Sequence, residues 1–234
     1  HDPTAIAARL ERRHRTSYLS DFVYGGIDGA ITTFAIVAGV VGAALPSSVI
    51  LILGLANLLA DGFSMAASNY SGTKTVTDNI ARLRQIEQRH VETDPEGERE
   101  EVRQILEKKG LNGDALESGV RSITSDREEW IDFMLVEEYG MPTATPEPGK
   151  AGLATFLAFV LCGSVPLLPF LIGATNPFEI SVTMTGMVFF LIGASKSRWS
   201  TAPWWRSGLE TLLIGGIAAG LAYFVGSVLG SLGT

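Results

Sequence analysis

The feature that most constrains this chain is an apolar run at residues 21–41, DFVYGGIDGAITTFAIVAGVV. The run is long enough to cross a bilayer as a helix, since the hydrocarbon core takes about 20 apolar residues. Asp28 lies in the middle of the run. A carboxylate at membrane depth costs at least about 3 kcal/mol unless it faces a partner, a cavity or an ion, so Asp28 is predicted to be a functional acid.

Four more apolar spans follow the first. Of the 234 residues, 46% are hydrophobic, and the mean hydropathy is +0.25. Apolar blocks of this length are typical of transmembrane helices. We therefore predict an all-α membrane protein with five transmembrane helices, of which helices 1 and 2 lie within residues 21–73 and helices 3–5 within 151–234. The predicted spans are 22–45, 49–70, 151–173, 179–195 and 207–229.

The chain between the second and third spans, residues 74–150, has a different character. It holds 18 of the 25 acidic residues and 11 of the 18 Lys and Arg residues. We predict a water-exposed, acidic helical insert, in which a first helix over 75–91 continues the second span and later helices begin at caps on Thr93 and Ser125. Residues 1–20 alternate Arg with apolar side chains and predict a basic amphipathic helix on the membrane surface.

Basic residues predict the orientation of the chain in the membrane. The N-terminal arm, the insert and the loop at 196–206 carry Lys and Arg, whereas the loops at 46–48 and 174–178 carry none. Because cytoplasmic loops are enriched in Lys and Arg, the N-terminus and the insert are predicted to be cytoplasmic and the C-terminus to lie outside. The chain is short and shows no eukaryotic targeting extension, which favours a bacterial inner membrane.

The second span carries three candidate ligands at helical spacing. Asn57, Asp61 and Met65 follow one another at i, i+4 and i+8, which places them on one face of a helix. Carboxylate and amide oxygens suit hard or borderline divalent cations, and a thioether adds a preference for softer ones. Asp21 lies seven residues before Asp28, near the predicted cytoplasmic mouth. We predict that these five side chains line a path for a cation; packing for Met65 and an interfacial role for Asp21 are the alternatives.

In the insert, candidate metal ligands occur in pairs on three predicted helices. The pairs are Glu87 with His90, Glu98 with Glu101, and Met134 with Glu138. Each pair is three or four residues apart, as in helix bundles that hold two metal ions with carboxylates. Such pairs also arise by chance on an acidic, solvated helix, so the spacing alone leaves both interpretations open.

Several classes of function are disfavoured by what the sequence lacks. It has no GxxxxGK[ST] loop for ATP, and its single cysteine, Cys162, excludes an internal disulfide framework and a Cys-rich zinc site. Only three histidines are present, and no Ser/His/Asp pattern points to a hydrolase. We expect a transporter driven by an ion gradient and not an enzyme, with no organic cofactor and no nucleic-acid partner.

The motifs DFVYGGIDGAITTFAIVAGVVGA, LANLLADGFSMAASNY and WIDFMLVEEYG, followed by a proline-containing third span, resemble the vacuolar iron transporter family. The resemblance covers about residues 15–230. It implies a homodimer of five-helix subunits with the ion path at the dimer interface, and a cytoplasmic metal-binding domain that collects Fe²⁺. It also implies export of Fe²⁺ from the cytosol in exchange for protons. Asp28 and Met65 match the pathway acid and methionine of the family, and Asp21 matches an acid near the entrance.

In the insert, the resemblance implies a set of metal ligands: Glu87, Glu98, Glu101, Glu138 and Met134. Two positions depart from the eukaryotic members, which have glutamate where this chain has Asn57 and His90. Asp61, one turn further along the same face, is a candidate to replace the acid that is missing at Asn57. These departures leave the metal open among Fe²⁺, Mn²⁺, Co²⁺ and Zn²⁺.

Other functions fit some of the same residues. One is a transporter of this architecture that is selective for Mn²⁺, and another is a membrane-anchored metal buffer or sensor that transports nothing. Asp28 argues against the buffer or sensor, because an anchor has no need of an acid inside the membrane. An enzyme that oxidises Fe²⁺ is a weaker alternative, because only Glu87 and His90 show the Glu-x-x-His spacing of such sites.

Overall fold

The computed structural model describes residues 2–4, 16–142, 144–199 and 201–232. Within these ranges every regular element is a helix, in agreement with the all-α prediction. The basic amphipathic helix predicted for residues 1–20 falls largely outside the described residues and stays a prediction.

Nine α-helices follow one another along the described chain. They are α1 (Leu19–Gly42), α2 (Ser47–Thr93), α3 (Pro95–Lys108), α4 (Gly113–Ile123), α5 (Arg127–Glu137), α6 (Pro148–Ser164), α7 (Leu168–Leu171), α8 (Pro177–Lys196) and α9 (Trp204–Leu232). Two short 3₁₀ turns lie at Val165–Leu167 and Ser197–Trp199. The segments α1, α2, α6 with α7, α8 and α9 are long and apolar enough to cross a membrane, so the prediction of five transmembrane helices is confirmed.

The chain divides into two compact units. The membrane unit consists of Ser17–Ser71 and Pro148–Thr234, and the second unit, which we call the insert, contains Gly72–Glu147 together with the first residues of the chain. Helix α2 runs through both, because its 47 residues continue without a break from the apolar span into the acidic segment. The same helix therefore carries candidate ligands of both units.

Small residues let α1 and α6 approach each other closely in the membrane unit. A Cβ atom added to Gly25 would lie 2.2 Å from the carbonyl oxygen of Thr155, and one added to Gly29 would lie 2.3 Å from that of Phe159. Such backbone contact is typical of transmembrane helices that pack through small residues four apart. Asp21 lies one turn before Gly25 on the same face, so this packing brings its side chain next to α6.

Two prolines explain why the third span is not one continuous helix. Pro166 and Pro169 have no backbone N–H to donate to a carbonyl one turn earlier. The α-helix accordingly gives way to a 3₁₀ turn at Val165–Leu167 and resumes only as the short α7. The hydroxyl of Ser181 on α8 donates to the carbonyl oxygen of Pro166 at 2.8 Å, which ties this irregular stretch to the next helix.

The insert has its own hydrophobic core, to which three helices contribute. Its buried residues come in pairs from α3, α4 and α5: Val102 and Leu106, Leu116 and Val120, and Trp130 and Met134. Each pair is four residues apart, so it lies on one face of its helix. A second cluster joins Ile131 and Leu135 of α5 to Leu83 of α2. Most of the acidic and basic residues lie on the faces that remain.

The caps of α3 and α5 differ from those predicted. The carboxylates of Asp94 and Asp126 accept the first free backbone N–H groups, at 3.1 Å in α3 and at 2.9 and 3.0 Å in α5. The predicted caps Thr93 and Ser125 are wrong, since their hydroxyls donate to carbonyl oxygens of the preceding turn, at 2.8 and 2.7 Å. Aspartate is as good a cap as serine or threonine, and here it is the residue nearer to the helix.

Candidate metal centre

The candidate centre forms where α2 ends and α3 begins. Only Asp94 separates Thr93, the last residue of α2, from Pro95, the first of α3. Glu87 and His90 lie in the last two turns of α2, and Glu98 lies in the first turn of α3. The tight connection places these three side chains together.

Their ligand atoms converge. One donor atom each of Glu87, His90 and Glu98 lies within 4.8 Å of the others, close enough for one metal ion to bind all three. The Nδ1 atom of His90 is 3.5 Å from Oε1 of Glu87 and 3.3 Å from Oε1 of Glu98. Two carboxylates and an imidazole form a donor set that suits first-row divalent metals.

Both carboxylates of this group are buried. The side chain of Glu87 is 0% exposed and that of Glu98 is 7% exposed, whereas His90 is 47% exposed. The Oε2 atoms of both glutamates have no hydrogen-bond partner among the described residues. Buried carboxylate oxygens without a partner are costly to the fold, and a bound cation would remove that cost. This burial supports the prediction that Glu87 and Glu98 are ligands of a cation, and that role stays a prediction.

Burial together with the neighbouring charges raises the pKa of Glu98 from 4.5 to about 7. Burial is the largest cause, and the negative charges of Glu87, Glu101 and Glu138 add to it in that order. In its protonated form Glu98 also shares a hydrogen bond with Glu87. Near neutral pH a proton is therefore held where a metal ion would bind, and the two compete.

Glu101 and Glu138 belong to the same electrostatic cluster although both side chains are exposed. Partial desolvation of its carboxyl group, followed by repulsion from Glu87 and Glu101, raises the pKa of Glu138 above its ordinary value. The carboxylates predicted as ligands from three helices thus act on one another. Their roles as ligands stay predictions.

Tyr139 is a member of the cluster that the sequence analysis missed. Its hydroxyl donates to Oε1 of Glu87 at 2.8 Å. Burial, and then this bond to Glu87, raise the pKa of the hydroxyl, so it remains a donor at physiological pH. Its position next to the candidate ligand Glu138, just before the turn at Gly140, is the sequence feature that could have identified it. It holds one oxygen of a buried carboxylate in a fixed position.

Met134, predicted as a sixth ligand, lies elsewhere in α5. Its side chain is 0% exposed and packs in the hydrophobic core with Val102, Leu106 and Trp130. In this structure Met134 is a core residue, and a role in metal binding stays a prediction. The spacing of Trp130 and Met134, four residues apart, is that of a core-facing helix and could have indicated this.

In the membrane unit, Asn57 bonds to α1. Its Nδ2 atom donates to Oγ1 of Thr32 at 3.2 Å and to Oγ1 of Thr33 at 3.3 Å. The Thr32 hydroxyl in turn donates to the backbone carbonyl of Asp28 at 2.9 Å. Asn57 is therefore connected through the Thr32 hydroxyl to the backbone carbonyl of Asp28.

The other predicted pathway residues are spread over the surface and interior of this unit. Asp28 and Met65 are partly buried, and Met65 packs against the apolar core. Asp61 is exposed, yet its carboxylate is near enough to Asp28 for the two charges to repel each other. Asp21 and Met65 line one cavity of about 260 Å³.

Comparison with known proteins identifies the family. The VIT family model matches residues 19–227. A vacuolar iron transporter of Toxoplasma gondii is 35% identical over 226 residues, which cover 92% of this chain and 75% of the relative. Vacuolar iron transporter 1 of Arabidopsis thaliana is 32% identical over 213 residues, which cover 89% of this chain and 84% of the relative. Vacuolar iron transporter 2 of Oryza sativa subsp. japonica is 33% identical over 210 residues, covering 87% and 84%.

These relatives are from eukaryotes, so they give no support to the predicted bacterial inner membrane, which stays a prediction. The match extends from the start of α1 almost to the end of α9 and includes Gly72–Glu147 of the insert. Family membership thus covers both the membrane helices and the cluster of carboxylates. This five-helix membrane protein belongs to the VIT family.

Proposed function

We propose that this chain moves Fe²⁺ across a membrane and out of the cytosol, in exchange for protons. The observation that carries the proposal is the group formed by Glu87, His90 and Glu98, in which two buried carboxylates keep oxygens without a hydrogen-bond partner. The relatives named vacuolar iron transporters support iron as the substrate. Mn²⁺ is the main alternative, and Co²⁺ and Zn²⁺ also suit oxygen and nitrogen ligands.

In the proposed mechanism, the insert captures the ion and the membrane helices pass it on. Glu87, His90 and Glu98 bind the ion directly, while Glu101 and Glu138 increase the negative charge around them. The ion then moves along Asp21, Asp28, Asn57, Asp61 and Met65, which replace part of its water shell. Binding at each step stays moderate, because a site that binds too tightly cannot release its ion.

Protons complete the exchange. Protons that enter from the far side neutralise the membrane carboxylates and release the ion there. On the capture side, the pKa of Glu98 at about 7 means that a bound metal ion displaces a proton near neutral pH. Competition between a proton and a metal ion for the same carboxylates is the simplest coupling between the two.

We also propose that the insert faces the cytosol and that two copies form a homodimer with the ion path between them. The distribution of Lys and Arg supports this orientation. The exposed Asp61 supports an assembly, because it lies within the apolar, membrane-spanning part of α2. A carboxylate facing lipid is costly, and a second subunit would cover it.

The test is Fe²⁺ flux into sealed proteoliposomes under anaerobic conditions, with and without a pH gradient. Wild type should carry Fe²⁺ faster with the gradient, and Asp28→Asn should remove most of the flux. Glu179→Gln changes an exposed acid at the start of α8 and is the matched control, which should behave as wild type. Competition by Mn²⁺, Co²⁺ and Zn²⁺ in the same assay ranks the metals.

A different outcome would favour the buffer or sensor. If wild type binds Fe²⁺ through the insert but carries none under any gradient, the membrane helices are an anchor and transport is refuted. If flux occurs but is indifferent to the gradient and to Asp28, metal transport stands and the proton exchange is wrong.

A further inference from the structure

A chain of hydrogen bonds joins three helices of the membrane unit at Asp21. The hydroxyl of Thr155 on α6 donates to the carbonyl oxygen of Ala151 at 3.1 Å. Because this bond takes the hydroxyl proton, the hydroxyl oxygen of Thr155 acts as an acceptor toward Nδ2 of Asn69 on α2, at 2.7 Å. The same amide nitrogen donates to Oδ1 of Asp21 on α1 at 2.8 Å. A weaker contact of 3.3 Å runs from this nitrogen to Ala151.

The direction of these bonds fixes the orientation of the Asn69 amide. A side-chain amide can present either its oxygen or its NH₂ group to a neighbour. Because Thr155 can only accept here, and because the Asp21 carboxylate is an acceptor, the NH₂ group must face both. Thr155 therefore supplies a second acceptor that helps to hold the NH₂ group of Asn69 against Asp21.

Thr155, at one end of this series of hydrogen bonds, is tightly packed. Thr155 is 1% exposed, and its backbone lies directly against Gly25, where a Cβ atom would approach its carbonyl oxygen to 2.2 Å. Neither helix can shift here without a clash or a gap. The position of the Asp21 carboxylate is thus set by the packing of α1 on α6 as well as by Asn69.

The carboxylate held in this way borders a cavity with a mixed donor set. The cavity has a volume of about 260 Å³, and Asp21, Met65, Ser68 and Asn69 are among its lining residues. These lining residues include a carboxylate, a thioether and a hydroxyl as potential ligands of a divalent cation. Carboxylate and thioether together suit the softer first-row divalent ions better than Ca²⁺ or Mg²⁺.

We propose that Asn69, oriented by Thr155, is a positioning residue that fixes the Asp21 carboxylate for a partly dehydrated divalent cation bound between Asp21 and Met65. The inference rests on the proposed transport function, and it adds Asn69 and Thr155 to the residues that take part in it. A neutral amide is the suitable partner, because it orients the carboxylate without cancelling its charge as Lys or Arg would. Supporting residues of this kind commonly change metal affinity by about 10–100-fold when they are replaced.

The test is the concentration dependence of Mn²⁺ and Fe²⁺ uptake into proteoliposomes. Asn69→Leu keeps the approximate shape and removes the donor, and Thr155→Val does the same for the hydroxyl. We expect each to raise the KM for the metal about tenfold while the maximal rate stays within about twofold. Thr155→Ser restores the hydroxyl and should restore the KM. Thr183→Val is the control, because the exposed Thr183 hydroxyl donates to the carbonyl oxygen of Glu179 within its own helix, α8.

A double-mutant comparison shows whether Asn69 acts through Asp21. In an Asp21→Asn background, Asn69→Leu should change the KM by less than about twofold, since the carboxylate that it positions is gone. An equal increase in both backgrounds would overturn the inference, and so would a Thr155→Ser variant as impaired as Thr155→Val. If Asn69→Leu is not monodisperse in detergent, the two Thr155 variants alone decide the question.

The same experiment separates this inference from the proposed function. Wild type that carries no metal overturns the transport and the inference with it. Wild type that carries metal, with an Asn69→Leu variant of unchanged KM, overturns only the positioning role.

Discussion

Replacing Glu98 with glutamine should stabilise the metal-free insert and weaken its binding of metal ions. Glu98 is 5% exposed, and burial, followed by the charge of Glu87, raises its pKa from 4.5 to about 7. This rise corresponds to about 3 kcal/mol by which the ionised side chain destabilises the folded state. Glutamine keeps the shape of the side chain and removes the charge.

The sign of the pH dependence follows from the raised pKa. Below pH 4.5, the ordinary pKa, Glu98 is mostly protonated in the folded and the unfolded insert alike, and its contribution is small. As the pH rises toward 7, the unfolded chain loses this proton first, so the unfolded state is progressively favoured. Above about pH 7 the loss reaches its full value of about 3 kcal/mol, and Glu98→Gln removes it.

Amide hydrogen exchange of α3 to α5 measures this free energy in detergent solution between pH 5 and pH 8. After correction for intrinsic exchange rates, protection of the metal-free wild type should fall as the pH rises. The Glu98→Gln insert should keep its protection over the same range. Glu107→Gln changes an exposed acid on the same helix and should leave the wild-type slope intact.

Adding metal ions tests the second expectation, that Glu98→Gln binds them more weakly than wild type. At pH 8, Mn²⁺, or Fe²⁺ without oxygen, should restore protection to wild type, because the cation supplies the positive charge that a proton supplies at low pH. The affinity of Glu98→Gln for either metal should be lower by about tenfold or more. A metal-free Glu98→Gln insert less protected than wild type at pH 8 would refute the electrostatic account, as would unchanged metal affinity.

Three further substitutions probe other contacts. Tyr139→Phe removes the donor to Glu87 and should destabilise the metal-free insert by about 1–3 kcal/mol, as measured by the same exchange experiment. His90→Ala should lower the affinity for Zn²⁺ and Co²⁺ more than for Mn²⁺ in calorimetric titrations, since imidazole suits the former ions better. Gly29→Leu should reduce the melting temperature in detergent because its side chain would press on the backbone of α6, whereas Gly216→Ala, with open space around it, should be tolerated.

The membrane helices could be predicted from the sequence because their signal is local. A helix in lipid must satisfy its own backbone hydrogen bonds, so the length and apolarity of a segment nearly suffice to define it. The predicted starts and ends of the five spans accordingly lie within a few residues of the structure, apart from α2. That helix continues past its apolar part as far as Thr93, as the helical pattern over 75–91 predicts.

The convergence of side chains from distant positions could not be predicted in the same way. The bond between Asn69 and Asp21 joins residues 48 positions apart, and the bond between Tyr139 and Glu87 joins residues 52 apart. Both depend on how whole helices pack. The spacing of Met134 and Glu138 shows the same limit, since it suggested a ligand pair where packing buries Met134 in the core. Local spacing identifies a face of a helix, but only packing determines what that face meets.

The polar groups of the two units are satisfied in opposite ways. In the insert, buried carboxylate oxygens of Glu87 and Glu98 are left without partners and repel one another, so a cation gains strongly by binding there. In the membrane unit, neutral amides hold the polar groups: Asn69 donates to Asp21, and Asn57 donates to Thr32. We therefore expect a cation at Asp21 to replace fewer unfavourable interactions and to bind less tightly. Binding that is tighter in the insert than in the membrane, but moderate in both, is what we expect of a protein that collects a scarce ion and still releases it.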